Sequence, residues 1–271
     1  MGAIVQRGTI KGLLRSTGLR RTHVAAARMC CERYLLSAIG PRRPRDIGRI
    51  LCYHSVGQSA WGVNDVLPAD FRRHIELALS AGWRFVPAAQ IARDGGGPKD
   101  LAITFDDGLK SVLTHAAPIL ASYAIPWSLF VVADWSDGRA PWASDTFLGW
   151  REIERLAAAG AEIGSHSVSH PNFGLIGAAQ TQDELGESRR IIRERSGIDA
   201  STFAIPLGQS KNWSAAASQM AREAGYSVVY AQAEETRPAQ TVARTFVTRF
   251  DGDRIFRSLL DGAFDRWEEW V

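Results

Sequence analysis

Cysteine is scarce in this 271-residue sequence: there are three, at Cys30, Cys31 and Cys52. Their spacing fits no zinc-binding pattern. An odd count with two adjacent residues offers no disulfide framework, so a reducing, cytoplasmic compartment is the expected setting. Long apolar runs are missing as well. Nothing approaches the roughly 18–20 apolar residues of a membrane span. The best candidate for a secretory core, Val24 to Ile39, is broken by Arg28, Glu32 and Arg33. There is no internal repeat and no low-complexity tract. What remains is ordinary globular composition, 45% hydrophobic and 23% charged, long enough for one large α/β barrel or two smaller domains.

The net charge of +3 conceals an uneven distribution. Residues 1–49 hold eleven basic against two acidic residues (+9), and the rest of the chain 21 basic against 27 acidic (−6). A basic arm, residues 1–48, therefore precedes a mildly acidic body, residues 49–271, with the proline-broken stretch Pro41 to Asp46 as linker. Such an arm suits peripheral contact with an anionic membrane face. The alternative is an amphipathic helix packed on the body. No nucleic-acid partner is expected.

Beyond the linker, strand and helix patterns alternate. Strands are expected at Arg49–Val56, Leu101–Phe105, Ser128–Val132, Ala161–Ser165, Ser201–Ile205, Tyr226–Tyr230 and Thr241–Phe250. Helices are expected between them, including Pro68–Ser80, Thr181–Arg195 and Asp253–Trp267. This alternation predicts an α/β fold, a parallel sheet closed into a distorted (β/α)7-type barrel, with chemistry at the carboxyl ends of the strands.

Two strand ends carry the residues that matter. Asp106 and Asp107, before Gly108, place adjacent carboxylates where the Leu101–Phe105 strand stops; they repel unless a cation or shared proton compensates. A lone Asp-Asp-Gly reads more simply as a helix start. His166 and His170, four apart in Gly164-Ser-His-Ser-Val-Ser-His-Pro171, follow another strand. Together the segments offer two imidazoles and a carboxylate, the donor set of zinc hydrolases, with a position left for water.

These segments resemble the polysaccharide deacetylases, carbohydrate esterase family 4, which share the NodB-like deacetylase domain. The likeness covers about residues 49–250. Thr104-Phe-Asp-Asp-Gly108 is similar to the family's first motif and His166-Ser-Val-Ser-His170 to its second. The resemblance implies a divalent metal, zinc by preference, on Asp107, His166 and His170, and Asp106 as catalytic base. In Phe203-Ala-Ile-Pro-Leu-Gly208, Ala204 stands where many members have an arginine and Leu207 where they have an aromatic. That brings the chain nearer to the deacetylases of poly-N-acetylglucosamine. Arg244, in Arg244-Thr-Phe-Val247, is then the candidate to orient the base, and a surface arginine is its alternative. The late histidine that supplies the acid in many members is absent. Of the remaining histidines only His54 follows a strand, and the Tyr53-His54 pair also resembles this subgroup, so His54 is the candidate acid. His23, His74 and His115 are expected to be solvated or at helix ends.

The implied activity is hydrolysis of the acetamide of an N-acetylated sugar, with the backbone N–H of Leu207 the candidate for the oxyanion and Trp135, Trp142 and Trp150 for sugar stacking. The expected partner is thus a carbohydrate. Trp83 and Trp127 are expected in the core. Rival readings are a deformylase or other amide or imide hydrolase on the same scaffold, and a barrel that binds sugar without cleaving it.

Overall fold

The computed structural model describes residues 21–143, 145–232 and 238–268. Seven parallel strands run in chain order around a closed barrel: β1 (Arg49–Tyr53), β2 (Asp100–Phe105), β3 (Trp127–Val131), β4 (Glu162–Ser165), β5 (Thr202–Ala204), β6 (Val228–Gln232) and β7 (Val242–Phe246). Each pairs with its successor, and β7 closes on β1 through Leu51↔Thr245 and Cys52↔Phe246. This is the barrel that the alternation predicts. Its distortion lies beside β2: the short strand Arg84–Phe85 pairs with Asp100 and Leu101, and β3 takes over from Ile103.

Side chains alternate between the barrel interior and the helix layer. Leu51 and Tyr53 of β1 join Ile103 and Phe105 of β2 in the outer core, whereas Ile50, Ala102, Phe130, Ala204 and Tyr230 fill the interior. Gly164 on β4 makes room for Phe130; a Cβ there would lie 2.5 Å from the Phe130 ring. Trp83 and Trp127 are buried in the outer core, as expected.

The differences from the sequence reading have local causes. The first strand stops at Tyr53, because Ser55–Val56 leaves the barrel to pair with Asp65–Val66 and Ser55 Oγ donates to Asp65 at 2.7 Å. The sixth begins two residues later than expected, because the Tyr226 hydroxyl is anchored outside the barrel on Ser188 Oγ and Leu185 O, 2.9 and 3.1 Å away. Both residues belong to helix Ala178–Ser196. The closing helix Asp253–Leu260 ends early, since the chain turns so that Asp265 meets Arg49 at 2.6 Å in a buried ion pair.

Residues 1–20 of the arm lie outside the described residues. Residues 21–39 form helix α1 (Arg21–Ile39), which packs on the body. Arg33 carries this contact. Fully buried, it pairs with Asp251, donates to Phe246 O at 3.1 Å and lies over the rings of Phe264 and Trp267. A buried guanidinium needs such partners, because an unpaired one is strongly unfavourable. His74 corrects the sequence reading in the same region. It is 2% exposed, bonded to the Tyr53 hydroxyl at 3.1 Å and to Asp251 O at 2.5 Å, and stacked on Phe256. The turn bearing Asp251 covers its helix face and supplies the partner that sequence does not reveal. Among the described residues no helix is long and apolar enough to cross a membrane.

Candidate active site

At the carboxyl end of β2 the chain delivers two consecutive aspartates. In an extended strand they would point to opposite faces. Asp107 instead adopts a left-handed backbone with φ 71°, a region that residues with a Cβ occupy only under constraint. The twist turns both carboxylates into one cavity. The loop after β4 is strained likewise, with φ 71° at Ser167 and 59° at His170. It is pinned by Glu184, whose carboxylate accepts from Val168 N at 2.8 Å and Ser169 N at 3.0 Å.

The result is a compact donor set. His166 Nε2 and His170 Nε2 each lie 3.6 Å from Asp107 Oδ1, and the three ligand atoms fall within 4.8 Å of one another. His166 Nδ1 lies 2.8 Å from Ala204 O. Donation of its proton to that carbonyl leaves the Nε2 lone pair toward Asp107. Burial pushes His166 down to about 3 and His170 to about 4, so both are neutral near pH 7. Burial, with Asp106 alongside, pushes Asp107 up to about 6. Its Oδ2 accepts from Trp61 Nε1 at 3.1 Å, while Oδ1 is buried without a hydrogen-bond partner among the described residues. An orphaned carboxylate oxygen facing two imidazole lone pairs fits a divalent cation. Tetrahedral ligands on bonds of roughly 2.0–2.2 Å stand about 3.4 Å apart.

Asp106 has a different environment. Arg244 grips it with both terminal guanidinium nitrogens, at 2.6 and 2.7 Å. The arginine rises from β7 through the interior, fully buried over Phe130 and Tyr230. Burial opposes the Asp106 charge, but Arg244, with His166 nearby, outweighs it and holds the carboxyl well below the usual carboxylate range. Cys52 Sγ lies 3.4 Å from Asp106 Oδ2, and burial raises its pKa, so the thiol stays a donor.

A family model described as "Polysaccharide deacetylase" matches residues 93–229, which span β2 to β5 and both motifs. The chain belongs to the polysaccharide deacetylase family. Relatives named chitooligosaccharide deacetylase, from Sinorhizobium fredii and a Bradyrhizobium species, are 28% identical over 104 residues and 26% over 113. Those stretches cover 38% and 40% of this chain and 44% and 47% of the relatives, so the chain spans about half the length of the curated relatives it matches. Among solved structures, IcaB from Ammonifex degensii is 25% identical with a TM-score of 0.69, covering 82% of this chain and 99% of that one. A de-N-acetylase from Aggregatibacter actinomycetemcomitans shares the fold at 18% identity and a TM-score of 0.68, covering 78% and 99%. Deacetylases of this kind are hydrolases of carbon–nitrogen bonds other than peptide bonds.

In this deacetylase-family chain, Asp106, Asp107, His166, His170, Arg244, His54 and Leu207 all line one cavity of about 620 Å³. His54 sits where β1 breaks, its ring edge-on to Phe246 at 5.2 Å and its Nδ1 buried without a hydrogen-bond partner among the described residues. Leu207 occupies the turn after β5 with φ 65°. Trp135, nearly buried, stacks on His170 at 5.1 Å, and Trp142 is half exposed at the mouth. Trp150 does not join them: its indole donates to Asp137 at 2.6 Å and it packs on the outer core.

Sequence reasoning missed Trp61, Cys52, Glu184 and Gln232. Cys52 had a signal, since alternation from His54 puts it on the same face two residues earlier. Trp61 shares the rim after β1 that pointed to His54. Glu184 lies in helix Ala178–Ser196, 16 and 15 residues beyond the two amides it holds, and no local pattern marks it.

Proposed function

We propose that this chain is a metal-dependent N-deacetylase that removes the acetyl group from an N-acetylated sugar, an oligo- or polysaccharide of N-acetylglucosamine type. The observation that carries this reading is the pairing of an orphaned Asp107 oxygen and two neutral imidazoles with a second carboxylate, Asp106, fixed by Arg244. A binding barrel has no need to keep two adjacent buried carboxylates in such different states.

When bound at Asp107, His166 and His170, a divalent ion, zinc in our reading, supplies Lewis acidity toward water and the amide carbonyl, which lets a carboxylate as weakly basic as Asp106 take the proton. Arg244 keeps Asp106 ionised and aimed at the cavity. As the water oxygen joins the acetyl carbon, the Leu207 N–H is our candidate to stabilise the carbonyl oxygen. The carbon–nitrogen bond then breaks, and His54 gives the departing nitrogen its proton, so that acetate and a free amine leave. Trp61 and Trp142 offer aromatic faces on which a sugar can lie, and Trp135 backs Trp142 and His170.

We assign this chemistry to residues 49–271 and, to the arm 1–48, contact with an anionic membrane face. Helix α1 turns Val24, Tyr34, Leu35 and Ile39 outward, with Arg28 beside them paired to Glu32 at 3.3 Å; the apolar face suits such a surface, and the basic charge comes from the sequence of the arm as a whole. The free cysteines fit a cytoplasmic setting.

Single substitutions separate the roles. His166→Ala and Asp107→Asn should lose both bound zinc and acetate release. Asp106→Asn and His54→Ala should keep the zinc and lose about 10²–10⁴-fold in turnover. Metal content and acetate release, measured on the same preparations, check this. Loss of zinc from Asp106→Asn but not from Asp107→Asn would reverse the two carboxylates.

A further inference from the structure

The last residue of β6 is a glutamine that the proposed chemistry does not use. Gln232 is 6% exposed, lines the active-site cavity, and has no hydrogen-bond partner for Oε1 among the described residues. Its position is closely specified. Its backbone N–H donates to Gly208 O at 2.8 Å, and a Cβ on Gly208 would come within 2.7 Å of Gln232 Cγ. On the other side its register partner is Arg244, so both side chains leave neighbouring strands on the same face. The carboxamide is thereby wedged between the Leu207–Gly208 turn and the arginine that holds Asp106.

A buried amide oxygen without a partner is unfavourable, and a thioether of similar volume would fill the space with no polar group to satisfy. Such a group calls for a water or a ligand as its partner. We propose that Gln232 is a substrate-contacting residue that selects for a hydroxyl on the sugar carbon next to the one bearing the acetamide. This rests on the deacetylase reading above. The carboxamide both accepts and donates, as a hydroxyl does, so a hydroxyl can give its proton to Oε1 and still accept from Nε2 of the same or a shifted rotamer. The acetamide N–H is a donor only and leaves the Gln232 Nε2 hydrogens without an acceptor. The acetamide oxygen is an acceptor only and leaves Oε1 unsatisfied. The neighbouring hydroxyl is the nearest group that meets both needs. Gly208 belongs to the same device, since any side chain there displaces the glutamine.

The test pairs a substrate deletion with a protein deletion. The zinc-loaded natural chain is given a short N-acetylglucosamine oligomer and the same oligomer lacking that hydroxyl. The deoxy oligomer should show a kcat/KM lower by roughly ten- to a hundredfold, the usual consequence of stranding a buried polar group. Gln232→Met should use both oligomers about equally, at the lower efficiency, and so should Gln232→Asn, which keeps the amide but withdraws it by one methylene. Discrimination by either variant matching the natural chain overturns the assignment. Calorimetric titration of both oligomers into the natural chain keeps the test independent of turnover. Equal affinities overturn the contact whatever the rate of acetate release, whereas unequal affinities with no acetate released uphold it and refute the deacetylase reading instead.

Discussion

Asp106 and Asp107 are neighbours in sequence and opposites in circumstance. Asp106 is buried against a two-pronged guanidinium, and Asp107 is buried with one oxygen unmet. Removing Arg244 therefore does more than delete a contact, because it strands a buried carboxylate. Arg244→Met should lower unfolding stability by about 3–5 kcal/mol, and Arg244→Lys, which keeps the charge but not the fork, by clearly less. Urea melts of the three proteins decide this; equal midpoints would place the arginine outside the energetics of the site. His74 gives a pH-dependent counterpart. Burial lowers its pKa from 6.5, against the opposing pull of the Asp251 carbonyl and the charges of Asp251, Asp70 and Asp253. Two of those acids are themselves paired, Asp251 with Arg33 and Asp253 with Arg73. The unfolded chain thus takes up the proton first. The stability due to neutral His74 is present above pH 6.5 and is lost as pH falls through its folded-state value. His74→Gln should flatten the decline in melting temperature between pH 7 and 5, and parallel profiles would contradict the account. Residues whose partners follow a strand end were legible from sequence. His74 was not, because the turn that covers it lies 177 residues away.

At the scale of elements, strand existence was readable and strand ends were not, and the ends carry the site. The break at Tyr53 is what puts His54 on the rim, within a stretch over which the apolar pattern runs on to Val56. A sixth strand ending at Tyr230 hid Gln232, because the Tyr226 hydroxyl anchors that segment two residues further along. Helix α1 shows the limit of charge counting. The basic arm suggested contact with an anionic membrane face, or else an amphipathic helix packed on the body; Arg33 reaches inward to Asp251 and Phe246 while the apolar stripe faces out. Deleting the whole arm confuses the two roles. Substituting only the outer face keeps them apart: Leu35→Glu with Ile39→Glu should weaken binding to phosphatidylglycerol vesicles about tenfold or more, and leave turnover of a soluble oligomer unchanged. Vesicle binding equal to that of the natural chain would remove the membrane from the account.

The molecule as a whole follows from a repeated unit. Strands in chain order, each pairing with the next, bring the turns after β1, β2, β4 and β5 to one rim, although the residues they carry span positions 54 to 207. This is why two short motifs in sequence could announce a site that no local geometry reveals. The interior explains the departures: Ala204 leaves space in the lumen and lends its carbonyl to His166, while Arg244 approaches Asp106 from β7. The most direct measurement of the central claim is product analysis on N-acetylglucosamine oligomers, with acetate, formate and free amine quantified together. The account predicts one acetate per amine formed, abolished by a chelator and restored by one equivalent of a divalent ion. Oligomer binding with no acetate and no amine, in protein carrying a full complement of metal, would contradict it.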